Sequence, residues 1–333
     1  MATKKSPAMK KKSSAKRSRS AKKMEPAARY LRYELTNSAS INTETSHYID
    51  LARDLSRTNR RLMRQGRVYH VKKITIVSSN TPNVGYTDPT TLISGARVSV
   101  GVVPYNWVSQ MAWKRAFDTW NRQNKEATQN LAGRIAGTWA DFKVYMSQDA
   151  RVGTVLRPMD NGGNLYDQGE WVYSQMVTPD GTTSADSFEL HLLGDHNGSV
   201  GAWNSVGLIK SYGESRATVS SGDPNVPSVA SDDPLVNVFD YGTTVDEVID
   251  DLEFSNDEPP YNIADYPGDD GNGPKPAIVQ DTTLRDGSAI MAGFNAMCGL
   301  LELESKSPIA NDVFSVLVEL SPGPYRGIKA DVI

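Results

Sequence analysis

The sequence predicts an all-β domain, a two-layer β-sandwich with a few helical insertions and long loops, preceded by a disordered basic arm. Three observations lead there. Several short segments alternate or run with β-branched and aromatic residues, each bounded by Gly, Pro, Asn or Asp. Their separations are long and uneven, which suits a sandwich with elaborated connections better than a meander or repeated βαβ units. Charge is also segregated: the first 23 residues carry ten Lys or Arg and no acid, while the remaining 310 hold 26 basic and 39 acidic side chains. A net charge of −3 and a pI near 5.9 conceal a +10 tether on a −13 body.

The arm, residues 1–27, has almost nothing apolar to set against an ordering cost of about 1–2 kcal/mol per residue. Lys4, Lys5, Lys10, Lys11, Lys12, Lys16, Arg17, Arg19, Lys22 and Lys23 are spaced by Ser, Ala and Pro. Such a rope grips phosphates and reads no base edges, so its binding should be sequence-blind. With all ten charges engaged on a single strand, log affinity should fall against log salt with a slope approaching about −7. The same run fits a nuclear localisation signal or a solubilising tail, whereas a polybasic membrane-surface anchor would want a lipidation motif or apolar wedge that is missing here, so no membrane partner is expected. It is not a secretory signal, because no apolar h-region follows, and no stretch is apolar enough to span a membrane.

In chain order the body begins with a strand at Arg29 to Leu35 (RYLRYEL). From Ser46 to Gln65, Ile49, Ala52, Leu55, Leu62 and Met63 approximate one helical stripe, and Gly66 supplies a stop. Arg53, Arg57, Arg60, Arg61 and Arg64 occupy the other faces, and Arg57, Arg60, Arg61 and Arg64 join the arm as candidate nucleic-acid contacts. Strands follow at Arg67 to Ser78 and Ala96 to Val103. A second helix from Ser109 places Trp113, Phe117 and Trp120 on one face, with Lys114, Arg115 and Arg122 on its surface. Further strands are expected at Phe188 to Leu193, Ser205 to Val219 and Val313 to Leu320.

Between Gly194 and Pro276 the composition shifts to PNVPSVASDDP, SNDEPPYN and YPGDDGNGPKP, which implies long exposed loops. Eleven carboxylates and no Lys or Arg lie between Asp240 and Asp270, so this region should sit far from nucleic acid. Asp246, Glu247, Asp250 and Asp251 could ligate Ca²⁺, but they lack EF-hand spacing and read better as a solvated acidic surface. The lone Cys298 excludes an intrachain disulfide and reads as a small buried hydrophobe.

No Walker A loop, nucleophile elbow, H-E-x-x-H or Cys pair is present, so no catalytic residue, metal site or cofactor is assigned and the chain does not read as an enzyme. His191, Asp195 and His196 in HLLGDHNG are the nearest approach to an acid/base cluster, on a strand and a turn that need not bring them together. An Asn295–Ala296 bond is a place where backbone self-cleavage could be imagined, with no buried carboxylate identifiable from sequence to assist it.

The layout resembles the single jelly-roll capsid proteins of small icosahedral viruses. More narrowly, HYIDLARDLSRTNRRLMRQGRVYHVKKITI, YNWVSQMAWKRAFDTWNRQN and GTWADFKVYM, within residues 46–147, are similar to capsid proteins of circular Rep-encoding single-stranded DNA viruses. That resemblance implies an eight-stranded antiparallel jelly roll over residues 28–333. It also implies a homo-oligomeric shell of about sixty or more copies, with the arm facing the lumen and the loops facing out. The expected partners are other copies of the chain and packaged nucleic acid, with circular single-stranded DNA first. This arm is Lys-rich where many circovirus-like arms are mainly Arg, and related jelly rolls occur in RNA viruses, so DNA and RNA stay as alternatives. The expected location is the virion, with host cytoplasm and nucleus before assembly. A cellular nucleic-acid-binding protein with a basic tail is the competing reading, and a β-sandwich hydrolase is a third. The six tryptophans are candidate anchors for contacts between copies.

Overall fold

Alternation of buried and exposed side chains builds the first strand, β1 (Tyr30–Thr36), where Leu31, Tyr33 and Leu35 point inward. A computed structural model describes residues 25–78, 95–129, 139–167, 169–178, 186–199, 202–217, 275–284 and 287–333. The ten cationic residues of the arm lie outside the described residues, as do most of the acidic region and the four carboxylates weighed there as Ca²⁺ ligands.

After β1 come β2 (Thr45–Asp50), α1 (Leu51–Asn59), β3 (Arg67–Ser78), β4 (Arg97–Val102) and α2 (Trp107–Gln129). A third group comprises β5 (Tyr145–Ser147), α3 (Gln148–Val152), β6 (Gln175–Thr178), β7 (Asp186–Leu193), β8 (Asn197–Ser199), β9 (Ala202–Gly207) and α4 (Leu208–Ala217). Then follow β10 (Ala277–Thr283), β11 (Ser288–Met291), β12 (Phe294–Met297), β13 (Leu300–Lys306) and β14 (Val313–Leu320). The short β15 (Pro322–Gly323), β16 (Gly327–Ile328) and β17 (Ala330–Val332) complete the described chain.

The protein is mostly β, and two antiparallel sheets face one another. The first has the order β1-β14-β3-β11, with β12 and β17 also paired to β3. The second has the order β10-β4-β13-β2. Their inner faces share one core, in which Tyr33, Tyr69, Ile74, Ile76, Phe314 and Val316 meet Ile49, Val98, Val100, Leu301 and Leu303. β11 and β12 run along β3 as one interrupted strand, pairing with Ile74–Val77 and Val68–Val71 respectively. The interruption coincides with an irregularity in the β14 pairing, where Lys73 and Val71 are matched and Lys72 is left over. Gly293 is needed there, since a Cβ would lie 2.6 Å from the Lys72 carbonyl oxygen.

Between β4 and β10 the chain leaves the sandwich to form a third sheet, β5-β7-β9-β8, with β6 on β7. Here β5 and β9 run parallel to β7, a βα-type arrangement that the uneven strand spacing did not suggest. α2 and α4 pack with this sheet, and their second core joins Trp113, Phe142, Leu190, Leu192 and Ile209 to Cys298 and Leu300 at the sandwich. Trp113 stacks on Phe117 with ring centroids 5.2 Å apart, and both rings meet Phe142 edge-on.

Two sequence expectations are corrected. The Ser46–Gln65 stretch is not one helix: residues through Asp50 belong to β2, and only Leu51–Asn59 are helical. The chain reverses at Arg60, in a left-handed conformation (φ 52°), six residues before the expected stop at Gly66. The strand expected over Ser205 to Val219 ends at Gly207, and α4 begins at Leu208. Gly207 marks the switch because a Cβ there would lie 2.1 Å from the Gly194 carbonyl oxygen. Cys298 is buried, at a positive-φ turn (58°) between β12 and β13.

Candidate nucleic-acid interface

Strand direction decides which loops share an end of the sandwich. β1 runs away from the root of the arm, and β2 runs back to α1, so the root and α1 lie at one end. At the other end the β1–β2 and β13–β14 connections are tied together, as the Asn37 N–H donates to the Asp312 carbonyl (2.8 Å) and the Asn42 N–H to Ser307 (2.8 Å). At the root, the Ala28 N–H donates to Asn59 Oδ1 (2.8 Å), and Arg61 pairs with Glu25 (2.7 Å).

α1 starts where Asp50 leaves the sheet with extended dihedrals and its carboxylate accepts the Arg53 N–H (3.0 Å). Past its end, the Ser56 hydroxyl donates to the Ala52 carbonyl (2.6 Å) and accepts the Met63 N–H (2.7 Å), folding the chain back under the helix. This turn gives the four candidate arginines different fates. Arg61 is held by Glu25, and Arg64 donates to Asp141 (3.1 Å) and the Ala140 carbonyl (3.0 Å). Arg57 and Arg60 form no ion pair among the described residues and line a cleft.

That cleft measures about 750 Å³ and runs between α1 and a wall formed by residues 139–143, 165–167 and 169–171. Besides Arg57 and Arg60, its lining includes Lys143, Trp139, Tyr166 and Trp171. Lys143 is only 9% exposed, and its ammonium lies over the Trp171 ring, 4.5 Å from the centroid. Burial holds its pKa below the ordinary lysine value. Arg57 Nε is buried without a hydrogen-bond partner, and burial lowers this guanidinium's pKa too. Asp167 also lines the cleft but is matched by Arg157 (2.6 Å).

The wall is fixed to α1 by Asp50. Its Oδ2 accepts from Trp171 Nε1 (3.1 Å), the Tyr173 hydroxyl (3.1 Å) and Gln65 Nε2 (3.3 Å). Beneath it, Arg53 Nε donates to Asp54 Oδ1 (2.7 Å) while the Tyr33 hydroxyl donates to Oδ2 (2.8 Å). Burial raises the Asp54 pKa to about 6 against the attraction of Arg53. The other Arg53 terminus donates to the Leu156 carbonyl, so α1, β1 and the insertion are locked together.

The His191 group converges without forming an exposed site. His191 Nε2 contacts the Asp195 backbone carbonyl (2.8 Å), not its carboxylate, and Nδ1 contacts the Ser205 hydroxyl (2.6 Å). His191 and Ser205 are both fully buried, and burial lowers the His191 pKa to about 4. The Asp195 carboxylate pairs with Lys210 (2.6 Å), and His196 Nδ1 accepts the Gly207 N–H (3.0 Å). Asn295 is exposed on β12, opposite His70. Among the described residues, no group of three or more His, Cys, Asp or Glu is placed to hold a metal ion, and no helix is long and apolar enough to cross a membrane.

Sequence reasoning reached Arg57 and Arg60 but not Lys143, Trp139, Tyr166 or Trp171 as their neighbours. The available signal was the mixture of aromatic and charged residues in TWADFK and NLYDQGEWVY, segments without strand or helix period. Compared with protein-family models, curated proteins and solved structures, the chain has no significant match.

Proposed function

We propose that this protein is a viral coat protein that assembles into a closed icosahedral shell and packages single-stranded nucleic acid through its basic arm. The observation carrying this reading is the order of strands. Taking β11 with β12 as one interrupted strand, and leaving aside the short β17 that also pairs with β3, we read β1, β2, β3, β4, β10, β11/β12, β13 and β14 as eight successive strands of a sandwich. In those terms one sheet reads first–eighth–third–sixth and the other second–seventh–fourth–fifth. Successive strands in this arrangement cross between sheets, except the fourth and fifth, which are neighbours separated in sequence by the large insertion. Two interleaved Greek keys of this kind make an eight-stranded jelly roll, an architecture shared by viral capsid and lectin domains.

Fold alone does not imply function, so the charge layout supplies the second support. The root of the arm lies at the α1 end, beside the two unpaired arginines, which suits a lumenal face. Like-charged arms converging inside a shell repel, so the enclosed polyanion would supply compensation and couple assembly to packaging. The protein would act without catalysis. It would reside in virions after passing through host cytoplasm, with the basic run also able to direct nuclear entry.

Light scattering and electron microscopy of the purified full chain, with and without single-stranded DNA or RNA, test the proposal. Closed megadalton particles are expected. A monomer or dimer under every salt and nucleic-acid condition would overturn it in favour of a cellular nucleic-acid-binding protein.

A further inference from the structure

Resting on the packaging reading, we infer that the cleft beside α1 holds an unpaired nucleotide of the enclosed single strand, its base against the aromatic wall and its phosphate on Arg57 and Arg60. Arms that grip only phosphates leave bases unaddressed; this cleft combines the two missing elements, a ring surface and unpaired cations.

Three cations line it without an ion pair among the described residues: Arg57, Arg60 and Lys143. Elsewhere at this end, Arg61, Arg64 and Arg157 are already matched by Glu25, Asp141 and Asp167. Glu170 is the one lining acid without such a partner, so the lining stays cationic. The buried Arg57 Nε, without a hydrogen-bond partner, is costly to maintain unless an anion completes it, and Lys143, nine-tenths buried over Trp171, adds a further cation beside it.

The aromatic side is equally specific. Trp139 is 64% exposed, an unusual position for an indole, and Tyr166 is exposed nearby on the same lining. Trp171 is held by its Asp50 hydrogen bond and covered by Lys143, so it forms a rigid wall, while Trp139 offers the free ring face. The volume of about 750 Å³ falls within the range of about 300–1,000 Å³ usual for ligand sites. A cationic groove with exposed rings is the combination by which proteins bind single strands without strong sequence preference. A duplex keeps its bases stacked and would gain nothing from the rings.

The test compares an oligothymidylate with an abasic oligomer of equal length and charge, by fluorescence anisotropy on the full chain at moderate salt. The oligothymidylate should bind about five- to tenfold tighter, the scale of one stacked base. Trp139→Ala, at an exposed site, should abolish that preference, so that the two oligomers bind alike. Arg60→Gln should weaken both oligomers. Equal binding of the two oligomers by the unaltered chain, or a preference that survives Trp139→Ala, would overturn the cleft and leave the packaging arm standing. Failure to bind either oligomer would instead defeat the packaging reading itself.

Discussion

Arg61 and Glu25 form an ion pair at 2.7 Å that fastens the first described residue of the chain to the turn after α1. Both side chains are substantially exposed, so the pair contributes little stability, roughly 0–1 kcal/mol. Its importance is positional, because it sets where the basic arm departs from the body.

Deletion of residues 1–23 should therefore leave the urea midpoint unchanged and remove most copurifying nucleic acid, read from the ratio of absorbance at the nucleic-acid and protein maxima. The dependence of log affinity on log salt should flatten by up to about seven. Unchanged cargo would transfer the role to the arginines around α1.

The buried Arg53–Asp54 pair should behave differently from Arg61–Glu25. Asp54→Ala leaves a guanidinium that is 7% exposed without its carboxylate and strands the Tyr33 hydroxyl. The expected loss is about 3–5 kcal/mol in equilibrium denaturation. A loss below about 1 kcal/mol would show that Arg53 finds a substitute partner.

His191 should titrate with a midpoint of about 4 by NMR. Because this lies below the unfolded value near 6.5, the unfolded chain takes up the proton first. The His191 contribution is thus present above about pH 6.5 and is lost as pH falls towards 4, on the order of 3 kcal/mol in all. Asp54 has the opposite sign: with its pKa raised from 3.8 to about 6, its contribution is greatest in acid and is lost as pH rises through 6. The two slopes oppose one another between about pH 4 and 6. A His191 midpoint near 6.5 would contradict the buried, neutral imidazole.

Gly66→Ala should destabilise by about 1–3 kcal/mol through overpacking. The added methyl would lie 2.6 Å from the ring of Trp113 on α2, which is buried against Phe117 and Phe142. Differential scanning calorimetry and near-ultraviolet circular dichroism would report the loss and the displaced indole. An unshifted melting temperature would mean that the ring yields freely.

The strands most legible in the sequence were those whose period is undisturbed. β3 and β14 occupy the expected Arg67–Ser78 and Val313–Leu320, and β1 lies within a residue of its expected span at each end. β2 was hidden because Ile49, Ala52 and Leu55 keep a three-residue step across the junction of strand and helix; the capping carboxylate of Asp50 was the signal of the break. β12 and β13 were not singled out in the sequence, because a non-glycine residue, Cys298, makes the left-handed turn between them and leaves no ordinary turn signal. The candidate interface was half legible: local charge density exposed Arg57 and Arg60, whereas Lys143, Tyr166 and Trp171 reach them only through the tertiary path set by Asp50.

The pairing of β1 with β14 also imposes an order of events during synthesis. Tyr30 and Glu319 are partners in that ladder although 289 positions separate them, so the sandwich cannot close until its final strands have left the ribosome. Through that interval the cationic segment, translated before the body, precedes any finished globule and would be free, on the proposed role, to meet polyanions while the hydrophobic strands are still waiting for partners. Under the proposed packaging role, cotranslational capture of RNA by nascent chains, and chaperones to shield unmatched β1, would then be natural companions of this topology.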